Sequence, residues 1–125
     1  MEPSIFKNFT GLDTDYLDAA YGDDAETAAL VFDQYLQDLP GNLELLDRDL
    51  ADRDIENFKL HIHKQKPGYS YVGLTDITAK FHELQTRCLT REDLGHFEPE
   101  IRQAMQRIRS SADIIRTALV QLQAG

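Results

Sequence analysis

His63 lies in a basic stretch, HIHKQKPG, near the middle of the chain. On a helix with 100° per residue, the neighbours of His63 along one surface stripe are Lys59, Lys66, Pro67 and Ser70. Lys64 directly follows His63 in the sequence. A neutral imidazole nitrogen is a nucleophile that can carry a covalent intermediate, and ammonium groups stabilise phosphoryl oxygens. The pattern suits acceptance of a phosphoryl group on His63. A solvated basic helix face with an incidental histidine has the same pattern, so spacing alone leaves both interpretations open.

The other residues that could do chemistry have weaker signals. His61 and His63 form an H-x-H pair, but on a helix their side chains point about 200° apart and cannot chelate one metal ion. His82 and His96 are expected at the surface or its boundary, and Cys88 continues an apolar stripe that predicts a buried, inert thiol. The chain has neither a Gly-rich phosphate loop nor a Ser/His/Asp arrangement. We therefore expect no metal site, no cofactor, and no kinase or hydrolase activity of its own.

Apolar residues at helical spacing predict the elements that must position His63. The expected helices cover residues 13–22, about 24–51, 53–72, 75–90 and 98–123. Within 53–72, the core-facing stripe is centred about 120° from His63, which places that residue on the solvent flank. Four amphipathic helices with short connections predict an all-α fold. We expect an antiparallel four-helix bundle with a short N-terminal capping helix, as a single domain over residues 1–125.

Capping residues and helix breakers set the predicted boundaries. A D-x-x-E capping pattern begins at Asp23, and Thr75 is the expected N-cap of the fourth helix. Pro40 interrupts the second segment, but the apolar stripe keeps its phase across it, so we expect one kinked helix. Residues 90–96 are polar and predict a loop, and Pro99 fits the first turn of the last helix.

Charge and composition restrict the classes of partner. The chain is 42% hydrophobic and has a net charge of −9, which argues against nucleic acid and anionic membranes. No run approaches the roughly 20 apolar residues that span a bilayer, and the N-terminus lacks the pattern of a secretory signal. With a single cysteine, no internal disulfide can form, and a cytoplasmic location is expected. The charge is uneven: residues 1–57 carry −12, whereas residues 58–91, here called the basic island, carry +4.

The segment HKQKPGYSYVGL, which begins at His63, resembles the signature of histidine-containing phosphotransfer (HPt) domains. That signature is H-x-x-K-G, followed by a hydrophobic residue and a glycine nine and ten positions after the histidine. The positions that match are His63, Lys66, Val72 and Gly73. Gln85 falls where several members place a glutamine beside the active histidine. The resemblance covers about residues 13–90, whereas 95–125 are similar only as an amphipathic last helix.

The resemblance implies a helical bundle and roles for three residues. His63 would accept a phosphoryl group from a receiver-domain aspartate and pass it to another receiver in a multistep phosphorelay. Lys66 would help to hold the phosphoryl group, and Gln85 would orient the imidazole or hydrogen-bond near it. The receiver would bring an acidic pocket and Mg²⁺. The expected partners are response-regulator receiver domains or a hybrid sensor histidine kinase, and the protein is expected to be a monomer.

The side chains expected to dock a receiver are those of Lys59, Lys64, Pro67 and Ser70. The basic island would then face the acidic pocket of the receiver. Two positions depart from the family, since the glycine four residues after the histidine is Pro67 here and the often aliphatic position two residues after it is the polar Gln65. A proline has no N–H for the carbonyl of His63 and biases Lys66 away from helical geometry. We therefore expect a kink or local loosening one turn after His63.

Three functions remain open on this sequence. The chain is a phosphotransfer protein with a proline variant of the motif, or a non-transferring adaptor that binds receivers through the same face. The third possibility is an unrelated helical interaction domain in which the motif match is a coincidence. In that case the His63 ring would be buried or turned away from Lys66 and Gln85.

Overall fold

The computed structural model describes residues 4–87 and 90–124. All regular secondary structure in these residues is helical, which confirms the all-α prediction. The helices are α1 (Thr14–Tyr21), α2 (Ala25–Asp52), α3 (Ile55–Tyr71), α4 (Thr75–Thr86) and α5 (Arg91–Ala124). Cys88, for which we predicted burial, lies outside the described residues.

An aspartate caps the N-terminus of each of the first three helices. Before α2 the cap is Asp24 rather than Asp23. The Asp24 carboxylate accepts hydrogen bonds from the backbone N–H and the hydroxyl of Thr27, at 3.0 and 2.7 Å. Such acceptors satisfy N–H groups that have no partner within the helix. The sequence pattern thus identified the correct turn and missed the cap by one residue.

One helix, α2, runs through Pro40 without ending. Its buried side chains include Phe32, Leu39, Leu43 and Leu46. Because this stripe packs inward both before and after the proline, burial offsets the hydrogen bond that Pro40 cannot donate. A single helix therefore spans this segment, as the phase of the stripe predicts.

The joint between α3 and α4 is tied to the segment before α1. Gly73 adopts a φ of +84°, and its carbonyl accepts a hydrogen bond from the Asp13 N–H at 2.8 Å. The Thr75 hydroxyl donates to the Asp13 carboxylate at 2.7 Å. Thr75 is the first residue of α4, and the N-cap position is Leu74. The prediction that Thr75 caps α4 is wrong, because its hydroxyl binds across this joint instead.

The last helix begins at Arg91, so the predicted loop at 90–96 and the predicted start at 98 are wrong. Thr90 and Asp93 cap α5 reciprocally. The Thr90 N–H donates to the Asp93 carboxylate at 3.0 Å, and the Asp93 N–H donates to the Thr90 hydroxyl at 3.3 Å. Leu94 is buried and anchors these first turns. Pro99 consequently lies inside α5 rather than in its first turn.

Packing places α3 between two other helices. α2 packs against both α3 and α5, α3 packs against α4, and α1 contacts α2 and α3. Phe6 and Phe9 precede α1 and are buried, with Phe9 beside Phe32 of α2. The side of α3 that carries His63 faces solvent.

Within the described residues, no helix has the length and apolar character needed to cross a membrane.

Candidate functional site

The ring of His63 is exposed in the middle of α3. Asp54 caps this helix by accepting a hydrogen bond from the Asn57 N–H at 3.1 Å. Phe58 and Ile62 are buried on the other side of α3. Since Ile62 directly precedes His63, its burial determines which side of the helix meets water. The structure thus presents the imidazole on the solvent flank that the sequence predicts.

A buried polar contact fixes the rotation of α3 against α2. The side chain of Gln65, in a residue that is 8% exposed, donates to the Asn42 carbonyl at 3.1 Å. Its oxygen accepts from the Tyr69 hydroxyl at 2.8 Å. Burial raises the pKa of Tyr69, so this hydroxyl stays protonated and remains a donor. A buried amide without partners costs about 1–3 kcal/mol, so the contact holds α3 in one orientation, with His63 on the opposite side.

The Lys66 ammonium, one turn after His63, is held between two side chains of α4. It donates to Gln85 Oε1 at 2.7 Å and lies 3.3 Å from His82 Nδ1. The structure thus brings together Lys66 and Gln85, whereas the role of Gln85 in orienting the imidazole stays a prediction. It also adds His82, which we expected only as a surface residue. The signal available in the sequence was its position three residues before Gln85, on the same helix face.

Two hydroxyl groups join α3 to α4 beside Lys66. Ser70 donates to Thr78 Oγ1 at 2.7 Å, and Thr78 donates to the Lys66 carbonyl at 3.1 Å. Ser70 is 9% exposed, so its side chain faces α4 rather than a partner. This differs from the expected docking role of Ser70, because the hydroxyl is used inside the fold.

The positive charge around His63 comes from Lys59, Lys64 and Lys66 of α3. Lys64 is exposed and Lys59 is half-buried. Within residues 4–87 and 90–124, none of the three forms an ion pair. Lys80 and Arg87, also in the basic island, are each paired with a glutamate. Among the side chains described, the unpaired positive charge of the basic island is therefore concentrated on α3.

Three exposed apolar side chains lie on the same face of α3. Leu60 and Tyr71 are each 47% exposed, and Pro67 is exposed between them. Their spacing puts them on one stripe that passes beside His63. The helix continues through Pro67 to Tyr71, so the loosening that we expected does not interrupt it. The sequence does not identify Leu60 and Tyr71, because only packing decides which apolar residues stay outside the core.

His61 and His63 point to different surroundings. The Nδ1 atom of His61 lies 2.5 Å from the carboxylate of Asp49, which is buried on α2. In the part of the chain that the structure describes, no three His, Cys, Asp or Glu side chains are grouped as metal ligands. His96 is exposed on α5, with its ring edge-to-face with Phe97. None of these residues adds a metal centre to the site.

A comparison with protein-family models matches residues 31–124, which are 94 of the 125 residues, to the Hpt domain. The chain belongs to the Hpt domain family, whose members are phosphotransfer domains that interact with receiver domains in phosphorelays. The matched span begins within α2 and contains His63, Lys66 and Gln85. Searches of the curated proteins and of the solved structures gave no match. Family membership excludes a coincidental motif in an unrelated helical domain.

Proposed function

We propose that this protein carries a phosphoryl group on His63 in a two-component multistep phosphorelay, accepting it from one receiver-domain aspartate and passing it to another receiver. The observation that carries the proposal is the exposed His63 ring, with the Lys66 ammonium one turn along α3 and bonded to Gln85. Phosphoryl transfer depends mainly on alignment and charge neutralisation. An exposed imidazole on a packed helix, with a cation one turn along the same helix, supplies both from this side.

The reaction exchanges one bond at phosphorus for another. A ring nitrogen of His63 attacks the aspartyl phosphate, a P–N bond forms, and the P–O bond to aspartate breaks and returns a carboxylate. Lys66 moves from Gln85 to neutralise the phosphoryl oxygens, which leaves Gln85 able to hydrogen-bond the imidazole. The receiver contributes Mg²⁺ and the acidic pocket. This chain therefore needs no cofactor, and no kinase activity of its own is part of the proposal.

The proposed docking surface for a receiver is the exposed side of α3. Its side chains are those of Lys59, Leu60, Lys64, Pro67 and Tyr71. The positive charge would face the acidic pocket of the receiver, and the apolar side chains would leave water on binding. In the complete arrangement that we propose, α2 to α5 form an antiparallel four-helix bundle and α1 covers one end. The protein would act as a cytoplasmic monomer built on this one domain.

Pro67 favours a second candidate function, an adaptor that binds receivers without accepting the phosphoryl group. The proline is exposed one turn after His63, and its ring adds bulk where a receiver must approach. The contact between Lys66 and Gln85 supports transfer instead, because an adaptor does not require a positioned ammonium beside the histidine. We therefore favour transfer over the adaptor.

The test is incubation with a radiolabelled phosphorylated receiver, followed by detection of an acid-labile, base-stable phosphohistidine. We expect label on the wild type and on His96→Gln, which removes an exposed histidine of α5, and none on His63→Gln. An unlabelled wild type, with the receiver shown to be loaded, would contradict transfer. Receiver binding that persists in His63→Gln, without label on any variant, would identify the adaptor.

A further inference from the structure

The Lys66 ammonium has two neighbours on α4, the side-chain amide of Gln85 and the imidazole ring of His82. Gln85 Oε1 lies at 2.7 Å and His82 Nδ1 at 3.3 Å. An ammonium group only donates hydrogen bonds, so Nδ1 can accept one from Lys66 only while the ring is neutral with its proton on Nε2. Histidine is the side chain whose charge ordinarily changes between pH 5 and 8.

We propose that His82 is a positioning residue for Lys66, an inference that rests on the proposed function. Neutral His82 helps to hold the ammonium against Gln85. When Nδ1 takes a proton from solvent, repulsion between two cations replaces the hydrogen bond, and Lys66 is released toward a phosphoryl group on His63. His82 thereby links the pH of the solution to the position of the lysine.

The other charged groups of α4 are engaged elsewhere. Lys80 pairs with Glu83 on its own helix and with Glu100 of α5, and Glu83 also pairs with Arg87. Asp76 pairs with Arg107 of α5. The ion pair and hydrogen bond with Lys80 lower the pKa of Glu100, which keeps this carboxylate charged. Of the charged groups described on α4 and α5, none is hydrogen-bonded to the His82 ring.

On α3, the charged group beside the His82 ring is the Lys66 ammonium. A second titratable group of α3 lies one turn before Lys66. That group is the exposed ring of His63. Titration of His63 could therefore move Lys66 as well. A test of the proposal must separate the two histidines.

Phosphorylation and protonation are expected to favour each other. A phosphoryl group on His63 attracts the Lys66 ammonium away from α4, and its negative charge favours a protonated His82. Because coupling between two sites is reciprocal, protonation of His82 favours the phosphorylated protein by the same factor. Mildly acidic conditions should thus shift the transfer equilibrium from the receiver toward His63.

NMR titration of the unphosphorylated protein tests the contact without any transfer. We expect the side-chain resonances of Lys66 to shift between pH 5 and 8 with the midpoint of the His82 ring. The shift should persist in His63→Gln and disappear in His82→Gln, where glutamine offers an acceptor that does not titrate. Lys66 resonances that follow His63, or that stay constant, would overturn the proposal.

Transfer from a labelled receiver at pH 6 and at pH 8 is the second readout. We expect the equilibrium of the wild type to change about two- to tenfold more than that of His82→Gln, which corresponds to one hydrogen bond. His96→Gln is the matched control and should behave as the wild type. An unchanged pH profile in His82→Gln would overturn the proposal. Absence of label despite the NMR coupling would count against the proposed function alone, and label without coupling would count against His82 alone.

Discussion

At the scale of single residues, two lysines of α3 have the same charge and different surroundings. Lys66 is bonded to Gln85 and lies beside the His82 ring. Lys64 is exposed, and within the described residues it forms neither an ion pair nor a side-chain hydrogen bond. Comparing the two therefore separates the effect of a positioned ammonium from the effect of positive charge in general.

We expect Lys66→Ala to slow phosphoryl transfer to His63 by about 10- to 100-fold, because it removes a hydrogen bond to a charged group. Lys64→Ala should slow it by less than about threefold, the effect of an exposed charge. Single-turnover transfer measures both rates. In urea denaturation, Lys66→Ala should lower the free energy of unfolding by about 1 kcal/mol, the contribution of one hydrogen bond, and Lys64→Ala should change it by less than about 0.5 kcal/mol. If Lys66→Ala unfolded the protein, the lysine would be structural and its proposed role would be wrong.

The exposure of His63 could be predicted from the sequence, because helix geometry fixes the angles between residues of one helix. The spacing of His63 and Lys66 is predictable for the same reason. The contact of Lys66 with His82, and that of Gln65 with Asn42, could not be predicted in this way. Both join different helices, and the distance between helices depends on packing that spacing within one helix does not contain.

At the scale of elements, two glycines near the end of α3 have opposite roles. Gly73 adopts a φ of +84°, and a Cβ there would lie 2.9 Å from the Cβ of Leu12. Gly68 lies inside α3, and a Cβ there would meet open space. The first glycine is required by the turn between α3 and α4, whereas the second only weakens its helix.

We expect Gly73→Ala to lower the free energy of unfolding by about 1–3 kcal/mol, through its positive φ and the close approach to Leu12. Gly68→Ala should raise it by about 0.5–1 kcal/mol, since alanine is the better helix former. Chemical denaturation of the two variants is the measurement. Changes of the same sign would refute this assignment of roles.

The type of each element could be predicted from hydrophobic period, whereas the start of α5 could not. Pro99 resembles a first-turn proline, and Gly95 resembles a loop residue. The cap formed by Thr90 and Asp93 extends the helix past both signals. A Cβ at Gly95 would meet only the guanidinium end of the exposed Arg53 side chain, which can move aside, so packing does not require a glycine there.

At the scale of the whole molecule, hydrogen bonds near helix N-termini make stability depend on acid. The Thr75 hydroxyl and the Tyr16 N–H lower the pKa of the Asp13 carboxyl. Cap hydrogen bonds likewise lower the pKa of the carboxyl groups of Asp24 at α2 and Asp93 at α5. Since these pKa values are lower in the folded state, the stabilisation is present above about pH 4 and is lost as the pH falls through the folded-state values.

We expect the free energy of unfolding to fall as the pH is lowered below about 4. Asp13→Asn should reduce the size of this fall, because it removes one of the shifted groups. Asp23→Asn removes an exposed aspartate that caps no helix, and it should follow the wild-type profile. Urea unfolding across this pH range compares the three proteins. A steeper acid dependence in Asp13→Asn would contradict the assignment.

The separation of charge along the chain should affect how fast a receiver binds. Residues 1–57 carry −12 and the basic island carries +4, and the unpaired lysines described in that island lie on α3. If α3 faces an acidic pocket, raising salt from low to physiological strength should slow association by up to about tenfold. Lys64→Glu should slow it at low salt and weaken the salt dependence. Stopped-flow rates that do not change with salt would exclude electrostatic steering.

The segment before residue 31 contributes to the core, although it lies outside the span that matches the family. Phe6 and Leu17 are fully buried, and Phe9 packs beside Phe32. A fragment trimmed to the matched span would begin inside α2 and strip these side chains from the interior, leaving an apolar gap open to water. Boundaries drawn from similarity alone would thus yield an aggregation-prone fragment that still contains every residue of the candidate site.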